Sequence, residues 1–450
     1  MNDFLNIWAD DDDNPIRVRS SRVETDTTDS TSGVEGFRSE WDGLTLEQRC
    51  SRAWVEINLA AIGENVTQIR AKLQPTTAMM AIVKADGYGH GAAPVARAAL
   101  KAGATWLGVA TVWEGVALRQ AGITAPILVL EAISDRDRAI TAREYDLDLT
   151  VAFPKQAVAL SELFAGSEIP LPVHLNIDTG MSRLGVNWTQ AESFFRLLRC
   201  LPGLHLKTIY SHLATADEPD TRMVQTQHQR FETVLTRLRE MGWDQPIHLS
   251  NSAGAIAFPK LHYDMVRVGL ALYGIAPAPH LADQITLRPA MSVRAKVTQI
   301  QTLPPDRGVS YGHRFISDRE TRLATVGIGY ADGVPRLLSG RLWVAIGGQL
   351  APQVGTITMD QLMVDVTDLT AIEVGDTVTL IGDDGDHRLT AQQWAETIGT
   401  IPWEIVCGFR QRLPRLYVSS PDPIEPMTPN TIDQGDDAKT PHTVREDSGS

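Results

Sequence analysis

AMMAIVKADGYGHGAAPVARAALKAGATWLGVATVWEGVALRQAGITAPILVLE, residues 78–131, holds three apolar runs: AMMAIVK (78–84), TWLGVAT (105–111) and PILVLE (126–131). Each is strand-length and rich in Val, Ile, Leu or Thr. Between them, PVARAALKAG and EGVALRQAG carry helical spacing, and Pro94 with Gly103 or Gly122 fits helix start and stop signals. The rhythm continues through LDLTVA (147–152), PVHLNID (172–178), LKTIYSHL (206–213), IHLSNS (247–252) and MVRVGLALYG (265–274). Eight strands alternating with helices over about 220 residues predict an α/β fold, a parallel (β/α)8 TIM-like barrel. A doubly wound open sheet is the rival, and the count of eight favours the barrel.

After about residue 285 the pattern changes. MSVRAKVTQIQTL, RLATVGIGYA, RLWVAIGGQL, QLMVDVTDL and DTVTLIG read as strands, with LTAQQWAETIG as the main helical exception. The expected organisation is an acidic, polar, disordered extension over 1–50 and a barrel over 51–285. A mainly β C-terminal domain over 286–418 and a disordered tail over 419–450 complete it. Residues 51–59 are an alternative first strand of the β domain. Asp10 to Asp13 read as a solvated acidic run, since a calcium loop needs spaced ligands and a turn glycine.

The chain has 450 residues and a net charge of -14, which argues against a general nucleic-acid binder. Its three cysteines, Cys50, Cys200 and Cys407, fit neither a disulfide framework nor a clustered zinc site. The start MNDFLNIWADDDDNP lacks a basic region and a signal-length apolar run, and no uncharged stretch would span a bilayer. A cytoplasmic location is expected. GIGYADG lacks dinucleotide-fold spacing, and DDGDH (383–387) reads as a polar hairpin turn rather than a metal site.

Barrel enzymes carry their chemistry at the carboxyl ends of the strands. Lys84, Asp178, Arg183, His212, Asn251, Ser252 and Gly269 fall at or just after such ends. From pattern alone Lys84 is a snorkelling side chain at a strand edge. The functional reading is a partly desolvated amine that forms Schiff bases with carbonyl cofactors.

AIVKADGYGHG resembles the pyridoxal-phosphate lysine signature of alanine racemases. DTGMSRLG (178–185), YSHLATAD (210–217), LSNSAG (249–254), VRVGLALYG (266–274), VSYG (309–312), GIGYADG (327–333), VGTITMDQ (354–361) and RLPRLY (412–417) resemble the same family in the same order. The resemblance spans about residues 51 to 418. It implies a head-to-tail homodimer that interconverts L- and D-alanine for cell-wall synthesis, with pyridoxal 5'-phosphate on Lys84 and shared active sites. Lys84 would handle the D-isomer's proton, and Tyr311 of the partner subunit the L-isomer's.

An unperturbed tyrosine is only about 0.1% ionised at neutral pH. The resemblance answers this with His212 beside the phenol, itself linked to Arg267, which would face the pyridine nitrogen. Ser252, Tyr88 and the backbone of Gly269 and Leu270 match a phosphate cradle, with Asn251 alongside. Arg183 matches a carboxylate-binding arginine. Met359 and Asp360 match a substrate-facing turn, and Tyr330 the substrate entrance. Each has a plainer reading, such as a core histidine for His212, a buried ion pair for Arg267, a helix N-cap for Ser252, a turn residue for Tyr311 and packing for Met359.

Two positions depart from the family pattern. Asn176 stands where many members carry a carbamylated lysine, so an anion such as chloride is expected beside Asn176 and Arg183. Gln411 stands where many have a tyrosine near the phosphate. Side-chain selection rests on pocket volume, so racemases of serine, lysine or several amino acids stay open. A decarboxylase of the same architecture is disfavoured by VSYG and the MDQ segment. A non-catalytic carrier of the cofactor is disfavoured by the β domain.

Overall fold

Ten strands lead the described chain: β1 (Ala53–Asn58), β2 (Ala78–Ile82), β3 (Trp106–Val109), β4 (Ile127–Ala132), β5 (Asp148–Val151), β6 (Leu171–Asp178), β7 (Val186–Asn187), β8 (Leu204–Tyr210), β9 (Ile247–His248) and β10 (Met265–Val268). The structure is a computed structural model and describes residues 43–419. Residues 1–42 and 420–450, including Asp10 to Asp13 and most of both expected tails, lie outside the described residues. Leu46–Arg49, within the expected extension, forms a helical turn with a Thr45–Gln48 capping box.

Strands β2, β3, β4, β5, β6, β8, β9 and β10 pair in parallel in the order β5-β4-β3-β2-β10-β9-β8-β6, and β5 pairs with β6, closing an eight-stranded barrel. The runs are nearly continuously apolar because both faces are covered, one by the barrel interior and one by helices. Met79, Met80, Ala81, Leu107, Val109, Ile127 and Leu128 are fully buried. Each buried Val, Leu or Ile side chain contributes roughly 1.5–3 kcal/mol relative to exposure.

Helices between strands start where the sequence supplies caps. Asn58 accepts from the amide of Ala61 to begin Leu59–Arg70. Thr111 and Glu114 form a capping box for Val112–Gln120, and Pro154 opens Pro154–Phe164.

The remaining strands are β11 (Met291–Leu303), β12 (Gly308–Val309), β13 (Phe315–Ile316), β14 (Thr321–Val326), β15 (Trp343–Ile346), β16 (Gln349–Val354), β17 (Leu362–Asp365), β18 (Thr377–Asp384), β19 (His387–Leu389) and β20 (Arg415–Val418). The second sheet runs β19-β18-β15-β16-β17-β14-β11-β1-β20. β1 therefore joins this sheet, antiparallel to β11 and parallel to β20. The DDGDH segment forms the β18–β19 hairpin, with Asp384 opposite His387. Gly274, where the barrel hands over to the linker before β11, has φ +83, and a Cβ there would sit 1.7 Å from the carbonyl oxygen of Arg288. Only glycine fits that crossing.

Several barrel strands end earlier than the apolar runs suggest. β9 stops at His248 and β10 at Val268, so Asn251, Ser252 and Gly269 lie beyond strand ends rather than in them. Asn251 accepts from the Gly254 amide and caps the helix Ser252–Ala257, so the cap expected of Ser252 belongs to its neighbour. Lys84 and His212 likewise follow Ile82 and Tyr210.

Candidate active site

Beyond β2 the chain makes a left-handed turn. Ala85, Asp86, Gly87 and Tyr88 all have φ between +52 and +59. For residues other than glycine this conformation costs roughly 1–2 kcal/mol each, so neighbours must hold it. Glu114 does so from the next helix. One carboxylate oxygen accepts from the Ala85 amide at 2.7 Å, and the other from Ala110 and Thr111 at 2.7 and 3.0 Å. Asp86 accepts from the Ala92 amide, and Gly91 donates to the Asp86 carbonyl. The turn places Lys84 on the rim, where burial and, next, Arg183 hold its pKa below the usual lysine value. A lysine so depressed is a better nucleophile and base.

Lys84 opens on a cavity of about 710 Å³ at the carboxyl ends of the barrel strands. Tyr88, Ser252, Gly269 and Leu270 line one side, with Asn251 near them. Asn176, Arg183 and His212 line another, and Arg267 forms part of the wall. Ser252 Oγ accepts from the amides of Gly269 (2.9 Å) and Ala271 (3.4 Å), so its own proton is directed elsewhere. A Cβ at Gly269 would lie 2.6 Å from the Tyr88 hydroxyl oxygen, so glycine is what lets that hydroxyl approach the backbone here. Asn176 is buried, and a Cβ on Gly185 would lie 2.9 Å from its Oδ1.

Arg267 is buried, and its described partners are all neutral. Nη1 donates to Nδ1 of His248 at 2.9 Å. Nη2 donates to the carbonyls of Ser211 (2.7 Å) and Leu249 (3.0 Å) and to Nδ1 of His212 (3.1 Å). The guanidinium lies 5.2 Å from the Tyr210 ring centroid. Burial pushes its pKa down to about 10, which still leaves it charged at neutral pH. The buried ion pair that the sequence allowed is thus replaced by carbonyl and imidazole acceptors. A buried cation held only by neutral groups favours an electron-rich ligand beside it.

Tyr311, Tyr330, Met359 and Asp360 do not line this cavity. They lie in loops of the C-terminal region, Tyr311 in the turn of the separate β12–β13 hairpin, and Tyr311 is 71% exposed. The Tyr311 carbonyl accepts from Thr356, while the amides of Tyr330 and Ala331 donate to the carbonyls of Thr358 and Met359. Buried Asp332 pairs with Arg52 and Arg412, and Arg412 also pairs with Asp360. Gln411 is exposed.

Sequence reading missed several groups. Glu114, unmarked in the sequence, completes the Thr111 capping box and also braces the strained turn. Trp403 and Cys407 reach the cavity from a helix of the C-terminal region. His174, His248 and Asp148 sit inside apolar runs, where nothing marks them out. Among the described residues no cluster suited to a metal ion occurs, and no helix is long and apolar enough to cross a membrane.

Residues 57–277 match the family described as alanine racemase, N-terminal domain, and residues 290–417 match alanine racemase, C-terminal domain. An alanine racemase of Nostoc sp. is 52% identical over 370 residues, covering 82% of this chain and 96% of the relative. One from Synechocystis sp. is 52% identical over 368 residues, covering 82% and 99%. Among solved structures, the Bacillus anthracis alanine racemase with bound L-Ala-P aligns with a TM-score of 0.78 at 38% identity, covering 84% of this chain and 97% of that one.

Proposed function

The chain belongs to the alanine racemase family, and from that premise we propose that it interconverts L- and D-alanine with two opposed bases, Lys84 and the partner subunit's Tyr311, around pyridoxal 5'-phosphate. The fit of that cofactor to these residues rests on the donor set. Lys84 offers a depressed amine and Arg267 a buried cation facing an electron-rich ring. The Tyr88 and Ser252 hydroxyls, brought together at Gly269 on the cavity wall, suit a phosphate. When bound, the cofactor supplies the electron sink that makes the Cα proton of alanine acidic.

The chain's own residues then have three tasks. Arg183, on the cavity rim, is the fork for the substrate carboxylate. Lys84 takes or returns a proton on one face of Cα. Tyr311 does so on the other, and His212 assists it. Because Arg267 donates to Nδ1 of His212, the neutral imidazole carries its proton on Nε2. Burial, followed by the charge of Arg267, keeps His212 well below the usual histidine pKa, so it stays neutral. An Nε2 proton can donate to the phenol oxygen and so orients it.

The single observation that carries the shared site is the segregation of the two bases. Lys84 borders the barrel cavity, and Tyr311 stands exposed in the turn of the β12–β13 hairpin and does not line it. A site assembled from two copies related by a twofold reconciles them. An anion such as chloride beside Asn176 and Arg183 belongs to the same reading. So do the barrel and β-domain limits near residues 285 and 418, and a reducing cytoplasm for the three free cysteines.

Mixing Lys84→Ala chains with Tyr311→Phe chains tests the proposal. Each heterodimer regains one intact site, so random exchange should restore about a quarter of wild-type activity. No recovery from chains that demonstrably exchange would reject the shared site. Deuterium washout from each enantiomer separates the two bases and, run over several amino acids, sets the substrate range.

A further inference from the structure

Barrel interiors are usually filled with branched apolar side chains. Here a polar chain crosses five neighbouring strands. From Arg267 on β10 it passes to His248 on β9, Thr208 on β8, His174 on β6 and Asp148 on β5. His248 Nε2 lies 2.8 Å from Thr208 Oγ1, Thr208 Oγ1 lies 2.6 Å from His174 Nδ1, and His174 Nε2 lies 3.0 Å from Asp148 Oδ2. Lys207 donates to the same carboxylate oxygen at 2.8 Å. His174, Thr208 and His248 are buried to within 2% of completely.

The two ends fix every proton between them. A guanidinium can only donate, so His248 Nδ1 accepts and its proton sits on Nε2. A carboxylate can only accept, so His174 carries its proton on Nε2 and leaves Nδ1 as an acceptor. Thr208 has one proton and two faces. It accepts from His248 and donates to His174, and no donor meets a donor anywhere along the row. Both imidazoles stay neutral because burial holds them below the usual histidine range. Stacking on Tyr210, with ring centroids 4.8 Å apart and planes 8° apart, sets the His248 plane.

We propose that Asp148 anchors a one-way hydrogen-bond chain that keeps His248 Nδ1 an acceptor and so sets the orientation of Arg267 at the cavity, making Asp148, His174, Thr208 and His248 positioning residues. The role assigned to Arg267 rests on the function proposed above. Reversing the chain would turn a proton of His248 toward the guanidinium at 2.9 Å, and Arg267 would have to move. Buried polar rows of this kind stabilise only when every member is satisfied, which makes the middle of the chain its weak point.

The test has two readouts. Imidazole 15N spectra of the protein stripped of cofactor should show His174 and His248 neutral at pH 7.5 with protons on Nε2. A proton on Nδ1 of either, or a charged ring, overturns the proposal, and this measurement needs no variant. Thr208→Val removes the link at nearly constant volume, and Thr208→Ser keeps the hydroxyl. Thr208→Val should loosen pyridoxal phosphate about tenfold while Thr208→Ser retains it. Equal retention by both variants also overturns it. Correct tautomers in a protein that forms no cofactor absorbance would instead reject the cofactor reading and leave the chain standing.

Discussion

The Arg267 guanidinium reaches Nδ1 of His212 at 3.1 Å and Nδ1 of His248 at 2.9 Å, so one buried cation faces the acceptor nitrogen of two histidines. Neither can protonate without meeting that charge. His174 and His90 are also buried and neutral, with His90 held down to about 4 by burial. For each, the unfolded chain binds more protons than the folded one once the pH drops below the free histidine pKa of about 6.5. Stability is therefore full above about pH 6.5 and is lost as the pH falls toward the folded values. Each group steepens the loss by up to about 1.4 kcal/mol per pH unit. Urea midpoints measured from pH 8 to pH 4 should decline below about pH 6.5, and His90→Gln should flatten the curve. A midpoint independent of pH over that range contradicts the assignment.

Gly269→Ala should weaken pyridoxal phosphate binding more than it weakens the fold. The new methyl would fall 2.6 Å from the Tyr88 oxygen, and Tyr88 stacks on buried Tyr273 with ring centroids 4.8 Å apart, so it has little room to retreat. Overpacking of about 1–3 kcal/mol corresponds to roughly 5–150-fold weaker cofactor retention. Absorbance titration of the stripped protein measures it. Unchanged affinity would remove Gly269 and Tyr88 from the phosphate cradle.

Most of the barrel was legible because parallel strands covered on both faces are written as continuous apolar runs, and caps such as Asn58 and Thr111 punctuate them. Strand ends were less so, since Val268 and Gly269 differ little in an apolar pattern while Ser252 decides where Gly269 bonds. Strand-end position marks out rim residues such as Lys84, Arg183 and His212, and the family resemblance assigns their roles. Their supports go unmarked, because Asp148, His174 and His248 are far apart in the chain and only the closed barrel makes them neighbours. Glu114 shows the same limit: its capping role satisfies the local pattern and hides its bond to Ala85.

Glu114→Gln should slow turnover while leaving the fold largely intact. A carboxylate accepts on both oxygens, and here both are used, by Ala85 on one side and by Ala110 and Thr111 on the other. An amide accepts on one side only and points its NH2 at an N–H on the other. The loss is roughly 1–3 kcal/mol, and it falls on the strained turn that carries Lys84. Turnover is expected to drop about tenfold, with a small fall in the urea midpoint. An equal loss of stability and activity, recovered together at low temperature, would make Glu114 a purely structural cap.

Asp332→Asn should damage the surface that carries Tyr330 and Met359. Its carboxylate is fully buried, accepts two bonds from Arg52 at 2.6 and 2.8 Å and one from the Gly329 amide at 2.9 Å, and lies 3.5 Å from Arg412. Gly329 packs directly against Met359, since a Cβ there would lie 2.5 Å from the Met359 carbonyl carbon. Removing the charge takes the buried counter-ion from Arg52 and weakens the hold on Arg412; both arginines are partly exposed, so solvent offsets much of the loss, which is about 1–3 kcal/mol. Arg412 would still hold Asp360, so the turn would be skewed rather than released. The expected result is a lower melting temperature together with a raised KM for alanine. Cofactor binding to Lys84 should persist, because that cavity lies on the barrel. Loss of cofactor binding with KM unchanged would place Asp332 in the support of the wrong half of the site.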